Sequence, residues 1–419
     1  MKIAVIGSGI AGLGSAWLLS RKHDVTLFEA NDYLGGHTHT HDIELQGRHY
    51  AVDTGFIVFN GAHYPLLTRL FAELGVETQP TTMSFSVQNQ ASGMEYNAGT
   101  VDGLFCQRKN LLNPRFLRMA ADIVRFYRNA PALLRRQGAG PTLGEFLTEK
   151  NYSAAFRDEH IVPMAAALWS MSASQVLQFP LLHLLRFMDN HHMLQVNGRP
   201  EWRVVTGGSQ RYIDAMRARW TVQERIGCPV RGIAGIGGRV QIDSAAGQET
   251  FDHVVLACHA DQALAMLRDA TPTERRILEA MPFQDNEVVL HTDARLLPKH
   301  RKAWAAWNAY VPAPGHAASE QAHCTVSYCM NLLQSLDAPE PIVVTLNRSA
   351  EIDPGRILRR LRYQHPLQTL ASVAAQARKV EIQGQRNLWF AGAYWGYGFH
   401  EDGLRSAVEV AQGLGVAWP

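Results

Sequence analysis

The run Lys2-Ile3-Ala4-Val5-Ile6-Gly7-Ser8-Gly9-Ile10-Ala11-Gly12, continued by Leu13-Gly14-Ser15-Ala16-Trp17-Leu18-Leu19 and then by Val25-Thr26-Leu27-Phe28-Glu29, decides the fold. A short β-branched stretch ends in closely spaced glycines. An apolar helical segment follows, and a second short strand ends in an acid. This is the order of a dinucleotide-binding βαβ unit, and each part has a physical task. Gly7 permits the tight turn, Gly9 lets the backbone approach a pyrophosphate, and Gly12 lets the helix sit close on the strand. Ser8, Ile10 and Ala11 complete the turn and open the helix, whose free N–H groups and partial positive charge face the phosphates. Glu29, with Ala30 beside it, is placed to accept hydrogen bonds from an adenosine ribose. The same carboxylate repels a 2′-phosphate, which disfavours NADP. By itself the unit does not choose between NAD and FAD.

The rest of the chain sets the frame. Its 419 residues suit two or three domains at about 100–200 residues each. Apolar content of 46% and charged content of 19% describe an ordinary globular protein. Forty basic residues stand against 38 acidic ones, too balanced a charge to predict nucleic-acid binding. The five cysteines (Cys106, Cys228, Cys258, Cys324, Cys329) form no C-x-x-C pair, so neither a zinc site nor a disulfide framework is indicated and a reducing compartment fits. His191-His192 has no partner at metal-ligand spacing, so no metal is expected. No apolar run is long enough to span a membrane. The N-terminal segment carries four glycines and no A-x-A-like cleavage site, which argues against a signal peptide. The expectation is a cytoplasmic enzyme.

Two further segments bear on the cofactor. Gly35-Gly36-His37-Thr38 and Val52-Asp53-Thr54-Gly55-Phe56 follow Glu29, and Asn387-Leu388-Trp389-Phe390-Ala391-Gly392-Ala393 precedes Gly403-Leu404-Arg405-Ser406-Ala407 near the C-terminus. The last block reads as a buried strand, a loop and a helix opening at Gly403. A nicotinamide site needs only the first unit, whereas a flavin is longer and requires a second helix N-terminus for its ribitol and ring. Together these segments resemble the FAD-dependent amine oxidase and phytoene desaturase superfamily. That family has a glutathione-reductase-like Rossmann FAD-binding domain with an inserted α+β substrate domain, so the implied fold class is α/β. Val204-Val205-Thr206-Gly207-Gly208, Cys228-Pro229-Val230-Arg231-Gly232-Ile233 and Phe251-Asp252-His253-Val254-Val255-Leu256-Ala257 match in family order.

The resemblance implies non-covalent FAD, because no cysteine lies in the C-terminal flavin segment. It implies contacts from Gly35, Gly36, His37, Thr38, Thr54, Gly55 and Phe56, from Val230 to the adenine, and from Gly392, Ala393, Asp402, Gly403, Leu404 and Ser406. More narrowly, G-G-H-T with V-D-T-G-F-I-V-F-N is similar to a bacterial branch of flavoproteins associated with cyclopropane-fatty-acyl-phospholipid synthases and furan fatty acid formation. Three departures stand out. His37 replaces the arginine usual after the double glycine, and Ala393 replaces the usual acid, leaving Glu401 or Asp402 to bond the ribitol or to be solvated loop charges. The strand at 286–291 has no lysine to hold a water at the flavin, which weakens a literal amine-oxidase reading.

The implied layout is a discontinuous FAD-binding domain of residues 1–80, 204–265 and 381–419, with residues 81–203 and 266–380 forming the substrate domain. Residues 114–136 read as a basic helix; residues 101–136 hold eight Lys/Arg against two acids. Such a helix suits an anionic membrane surface, or else is a solvated face. The small apolar run 161–171 reads as an acyl tunnel or as core. In the aromatic block 394–401, His400 is the candidate proton acceptor, with Tyr397 as the second candidate at the ring edge. The expected reaction is dehydrogenation of a lipid, with a phospholipid acyl chain, methylated or not, as substrate. A hydride passes to flavin N5 while a base takes a proton. A lipid methyltransferase is the expected partner. Amine or isoprenoid oxidation, and redox-neutral or non-catalytic FAD–lipid binding, are the alternatives.

Overall fold

A computed structural model describes residues 1–135, 140–169, 171–190, 193–194, 200–313 and 325–418. Arg136, Ser170, His191, His192 and Cys324, which entered the sequence readings, lie outside the described residues.

Strand Lys2–Ile6, the glycine turn and helix Ile10–Leu19 lead into strand Asp24–Phe28. These β-branched runs are buried on both faces, as a parallel sheet covered on either side demands. Strand Val222–Arg225 pairs parallel outside Asp24–Phe28. On the other side, His253–Leu256 pairs parallel with Lys2–Ile6, and Leu388–Phe390 pairs parallel with His253–Leu256. The central sheet thus draws on three distant stretches of chain. One of its faces packs on helices Ile10–Leu19 and His400–Gly413. The other meets an antiparallel sheet of Val230–Ile236, Arg239–Ser244 and Gly247–Phe251.

The two helices meet because small residues face each other. A Cβ on Gly14 would lie 2.7 Å from Leu404 Cδ1 and 3.1 Å from Ala407 Cβ, so the facing side chains would have to shift. Likewise a Cβ on Gly403 would lie 2.7 Å from Ile10 Cγ2. The first turns of both helices therefore lie together. The second helix opens at His400, three residues before the expected Gly403, because Asp402 caps it from within: its carboxylate accepts the Phe399 amide at 3.1 Å.

The second body is a seven-stranded sheet. Its order is Ile357–Pro366, Phe283–His291, Val343–Leu346, Thr325–Cys329, Trp307–Val311, Phe85–Asn89 and Met94–Asn97. Only the pairing of Trp307–Val311 with Phe85–Asn89 is parallel. A helical layer covers one face, including Pro114–Leu134, Val162–Trp169 and Leu181–Asn190. Among the described residues, no helix is long and apolar enough to cross a membrane.

Candidate functional site

A cavity of about 1290 Å3 runs from the glycine turn of the central sheet to the seven-stranded sheet. At one end its wall is Gly7, Ser8, Gly9, Ile10 and Ala11, with Glu29, Ala30 and Val230 nearby. Gly12 lies behind this wall: a Cβ there would sit 1.8 Å from the Gly7 carbonyl oxygen. A Cβ on Gly9 would meet nothing within 4 Å, so the open space in front of the loop lies at Gly9. No side chain caps helix Ile10–Leu19, which leaves its first N–H groups for an anion in that space.

Glu29 is more deeply engaged than the sequence suggested. One carboxylate oxygen accepts the Ser8 amide and hydroxyl at 2.9 and 2.5 Å. The other accepts the Asn31 amide and side chain at 2.8 and 3.0 Å. Glu29 therefore fixes the glycine turn as well as lining the cavity.

Further along, Gly36, His37, Thr54, Gly55, Phe56, Gly392, Ala393, Tyr397 and His400 line the wall. Gly12, Gly35, Thr38, Asp402, Gly403, Leu404 and Ser406 do not. They stand one layer back and hold the wall in place. Gly35 donates its amide to the Ser8 hydroxyl at 3.1 Å. The Ser406 hydroxyl accepts the Gly392 amide at 2.8 Å and donates to the Gly403 carbonyl at 2.7 Å, tying the C-terminal strand to its helix. Leu404 fills the contact with Gly14.

The alternative that Glu401 and Asp402 are solvated loop charges is corrected. Both are buried. Glu401 accepts the Leu66 and Leu67 amides at 2.9 and 3.1 Å. Asp402 accepts the Tyr397 and Phe399 amides, both at 3.1 Å, and receives Arg405 at 3.0 Å. Orphan N–H groups at helix starts and in the 394–399 loop claim both carboxylates.

His400 is built into the cavity wall. Its Nε2 lies 2.9 Å from the Thr38 hydroxyl, which in turn meets the Tyr212 hydroxyl at 2.6 Å. Its ring stacks on Phe56 at 3.7 Å between centroids. Burial drives its pKa down to about 3, so the imidazole is neutral. Tyr397 packs its ring against His183 and Phe187, and burial raises its hydroxyl above the ordinary range.

Sequence reasoning missed a ring of neutral imidazoles. His37 packs beside Tyr363, His365 and His259, all on the wall. Burial, then the neighbouring His365, His259 and His400, hold His37 well below the ordinary histidine range. Its Nε2 is buried with no hydrogen-bond partner. The Thr54 hydroxyl joins this group, 2.7 Å from the Tyr363 hydroxyl. Asp53 works behind the wall: its carboxylate accepts the Ser209 amide at 2.9 Å, the Ser209 hydroxyl at 2.7 Å and Gln334 Nε2 at 2.9 Å.

The far part of the cavity is apolar. Met83, Phe85, Met164, Ala167, Leu168 and Trp169 line it, with Phe187, Trp307 and Leu346 beyond. Thus the run 161–171 contributes to both cavity wall and core. Among the described residues four charged side chains reach the cavity: Glu29, Glu201, Asp285 and Arg362. The last three are exposed at the surface. No lysine lines it.

The donor set fits FAD. The uncapped helix start beside an open glycine turn suits a pyrophosphate. The adjoining start of helix His400–Gly413 provides the second N-terminus that a flavin requires.

A family model described as flavin-containing amine oxidoreductase matches residues 10–414. The chain is 39% identical over 84 residues to carotenoid phi-ring synthase of Chlorobaculum tepidum, a match spanning 20% of this chain and 13% of that protein. Among solved structures, cyclohexylamine oxidase from Brevibacterium oxydans IH-35A superposes with a TM-score of 0.67 at 17% identity, over 99% of both chains. A CLA-producing fatty acid isomerase from P. acnes superposes with a TM-score of 0.65 at 17% identity, over 98% of both. At these identities the superpositions bear on the fold alone.

Proposed function

The chain belongs to the flavin-containing amine oxidoreductase family, and from that premise we propose that it is an FAD-dependent oxidoreductase that dehydrogenates a lipid, with a phospholipid acyl chain, methylated or not, as the substrate. The observation that carries the reading is the apolar arm of the cavity. Met83, Phe85, Met164, Ala167 and Leu168 offer an alkyl chain dispersion contacts and exclude water. Among the described residues, no buried carboxylate lines this arm to pair with an ammonium, which an amine substrate would need on leaving water. Bound FAD supplies a two-electron acceptor. The chain's own residues bind and orient: the glycine turn and two helix starts hold the dinucleotide, and neutral His400, tied to Thr38 and stacked on Phe56, shapes the wall beside it. The carotenoid and fatty acid chemistry in the names of similar proteins supports a long apolar substrate.

The reading extends to a membrane surface. Five exposed apolar side chains, Val101, Leu111, Leu112, Leu117 and Val124, cluster on and beside helix Pro114–Leu134. Basic Arg108, Lys109, Arg115, Arg118, Arg125 and Arg128 are interleaved with them. Apolar groups among cations complement an anionic phospholipid surface at the inner face of a membrane. Ala98 and Gly99, next to Val101, lie on the cavity wall, so the patch adjoins the route a chain would take inward. Incubating the FAD-loaded protein with anionic vesicles and weighing the recovered acyl chains by mass spectrometry tests the proposal. The expected product has lost two hydrogens; unchanged lipid together with turnover of amines overturns it.

A further inference from the structure

A short hydrogen-bond chain behind the cavity wall settles which nitrogen of His400 carries its proton. The Tyr212 hydroxyl is buried, and the polar atom it meets is the Thr38 hydroxyl, at 2.6 Å. A buried phenol proton without an acceptor is costly, so Tyr212 donates to Thr38. The Thr38 hydroxyl has one proton of its own, and its other side-chain contact is His400 Nε2, at 2.9 Å. It donates there. The opposite order, from Nε2–H to Thr38 and on to Tyr212, would strand the phenol proton in the core.

Nε2 is thus the acceptor nitrogen, and in a neutral imidazole the hydrogen then sits on Nδ1. Burial keeps the ring neutral, with its pKa lowered to about 3. Among the described residues no side chain or backbone group bonds Nδ1. Unlike His37 Nε2, it is not shut inside the protein, and the ring lines the cavity, so the N–H opens into that space. Its direction is fixed from two sides, by Thr38 at the far nitrogen and by Phe56 stacked at 3.7 Å. The neighbouring carboxylates of Glu401 and Asp402 are committed to backbone amides and Arg405 and do not compete for it.

We propose that His400 donates this Nδ1–H to an oxygen of the bound FAD and so favours the cofactor's reduced state. The inference rests on FAD occupying the cavity and not on the identity of the substrate. His400 opens the helix whose first turn packs on the start of Ile10–Leu19, beside the turn that suits the dinucleotide. Two electrons taken up with a single proton leave a flavin more negative than before. A donor already aimed at one of its oxygens gains strength as that charge grows, with no reorganisation.

The test is the reduction equilibrium of the FAD-loaded protein against a redox dye, without oxygen or substrate, in the parent, His400→Phe and His400→Gln. Phenylalanine keeps a flat ring on Phe56 and removes the N–H; the expected shift toward oxidised FAD is about tenfold, or about 30 mV for a two-electron couple. Glutamine offers its carbonyl to Thr38 and its N–H to the cavity, and is expected to stay near the parent equilibrium. An unshifted equilibrium in His400→Phe overturns the proposal. So does an equal shift in His400→Gln, which would report packing and not the N–H. Should His400→Phe not hold FAD, nitrogen NMR of the parent with isotope-labelled histidine decides. A proton on His400 Nδ1 whose signal moves when FAD binds is expected; a proton on Nε2, or a signal indifferent to FAD, overturns the proposal.

Discussion

Replacing His400 by glutamine should make the protein less sensitive to acid, by an amount set by one buried ring. The His400 pKa lies at about 3 in the folded chain against 6.5 for an ordinary histidine. The unfolded chain therefore binds a proton below pH 6.5 that the folded chain refuses. Stability from this group is fully present above about pH 6.5 and is lost as pH falls toward 3. At pH 5 the two values correspond to a loss of about 2 kcal/mol, and at pH 7 to almost none. Burial also holds His160, His183, His291 and His365 at about 4, so the parent protein loses more than this in total. The comparison isolates one residue: urea unfolding of parent and His400→Gln at pH 7 and pH 5, at one FAD concentration. The lost stacking on Phe56 lowers the variant at both pH values and cancels in the difference. The parent should lose about 2 kcal/mol more than the variant between the two pH values. Equal losses would refute the neutral, desolvated His400.

Three other outcomes follow from the same structure. Gly12→Ala, which in an open helix would gain about 1 kcal/mol, should instead cost about 1–3 kcal/mol, because its Cβ would lie 1.8 Å from the Gly7 carbonyl oxygen; the purified variant should be colourless. Ala167→Trp should obstruct the apolar arm and abolish lipid turnover while FAD content, read from absorbance, stays at the parent level. Val101→Glu with Leu112→Glu should weaken sedimentation with anionic vesicles while stability stays within about 0.5 kcal/mol, since these side chains are 77% and 89% exposed.

The legible part of the site was the part built from local rules. The glycine turn, the acid ending the second strand and the C-terminal strand follow from backbone geometry, which a few residues dictate. What the side chains do is set by neighbours far along the chain. Glu29 turns inward because Ser8 and Asn31 present four N–H or O–H donors to it. Glu401 is claimed by the Leu66 and Leu67 amides, more than 300 positions earlier in the chain. The strand bearing Tyr363 and His365 carried a readable signal: both alternate with Arg360, Arg362 and Gln364 in a period of two. Its place beside His37 depends on the pairing order of a seven-stranded sheet, which no local pattern encodes.

The most direct test is anaerobic. FAD-loaded protein is mixed with anionic phospholipid vesicles bearing plain or methylated acyl chains, and separately with primary amines, while the flavin absorbance is followed. The account predicts bleaching by lipid and none by amines; bleaching by amines alone would contradict it.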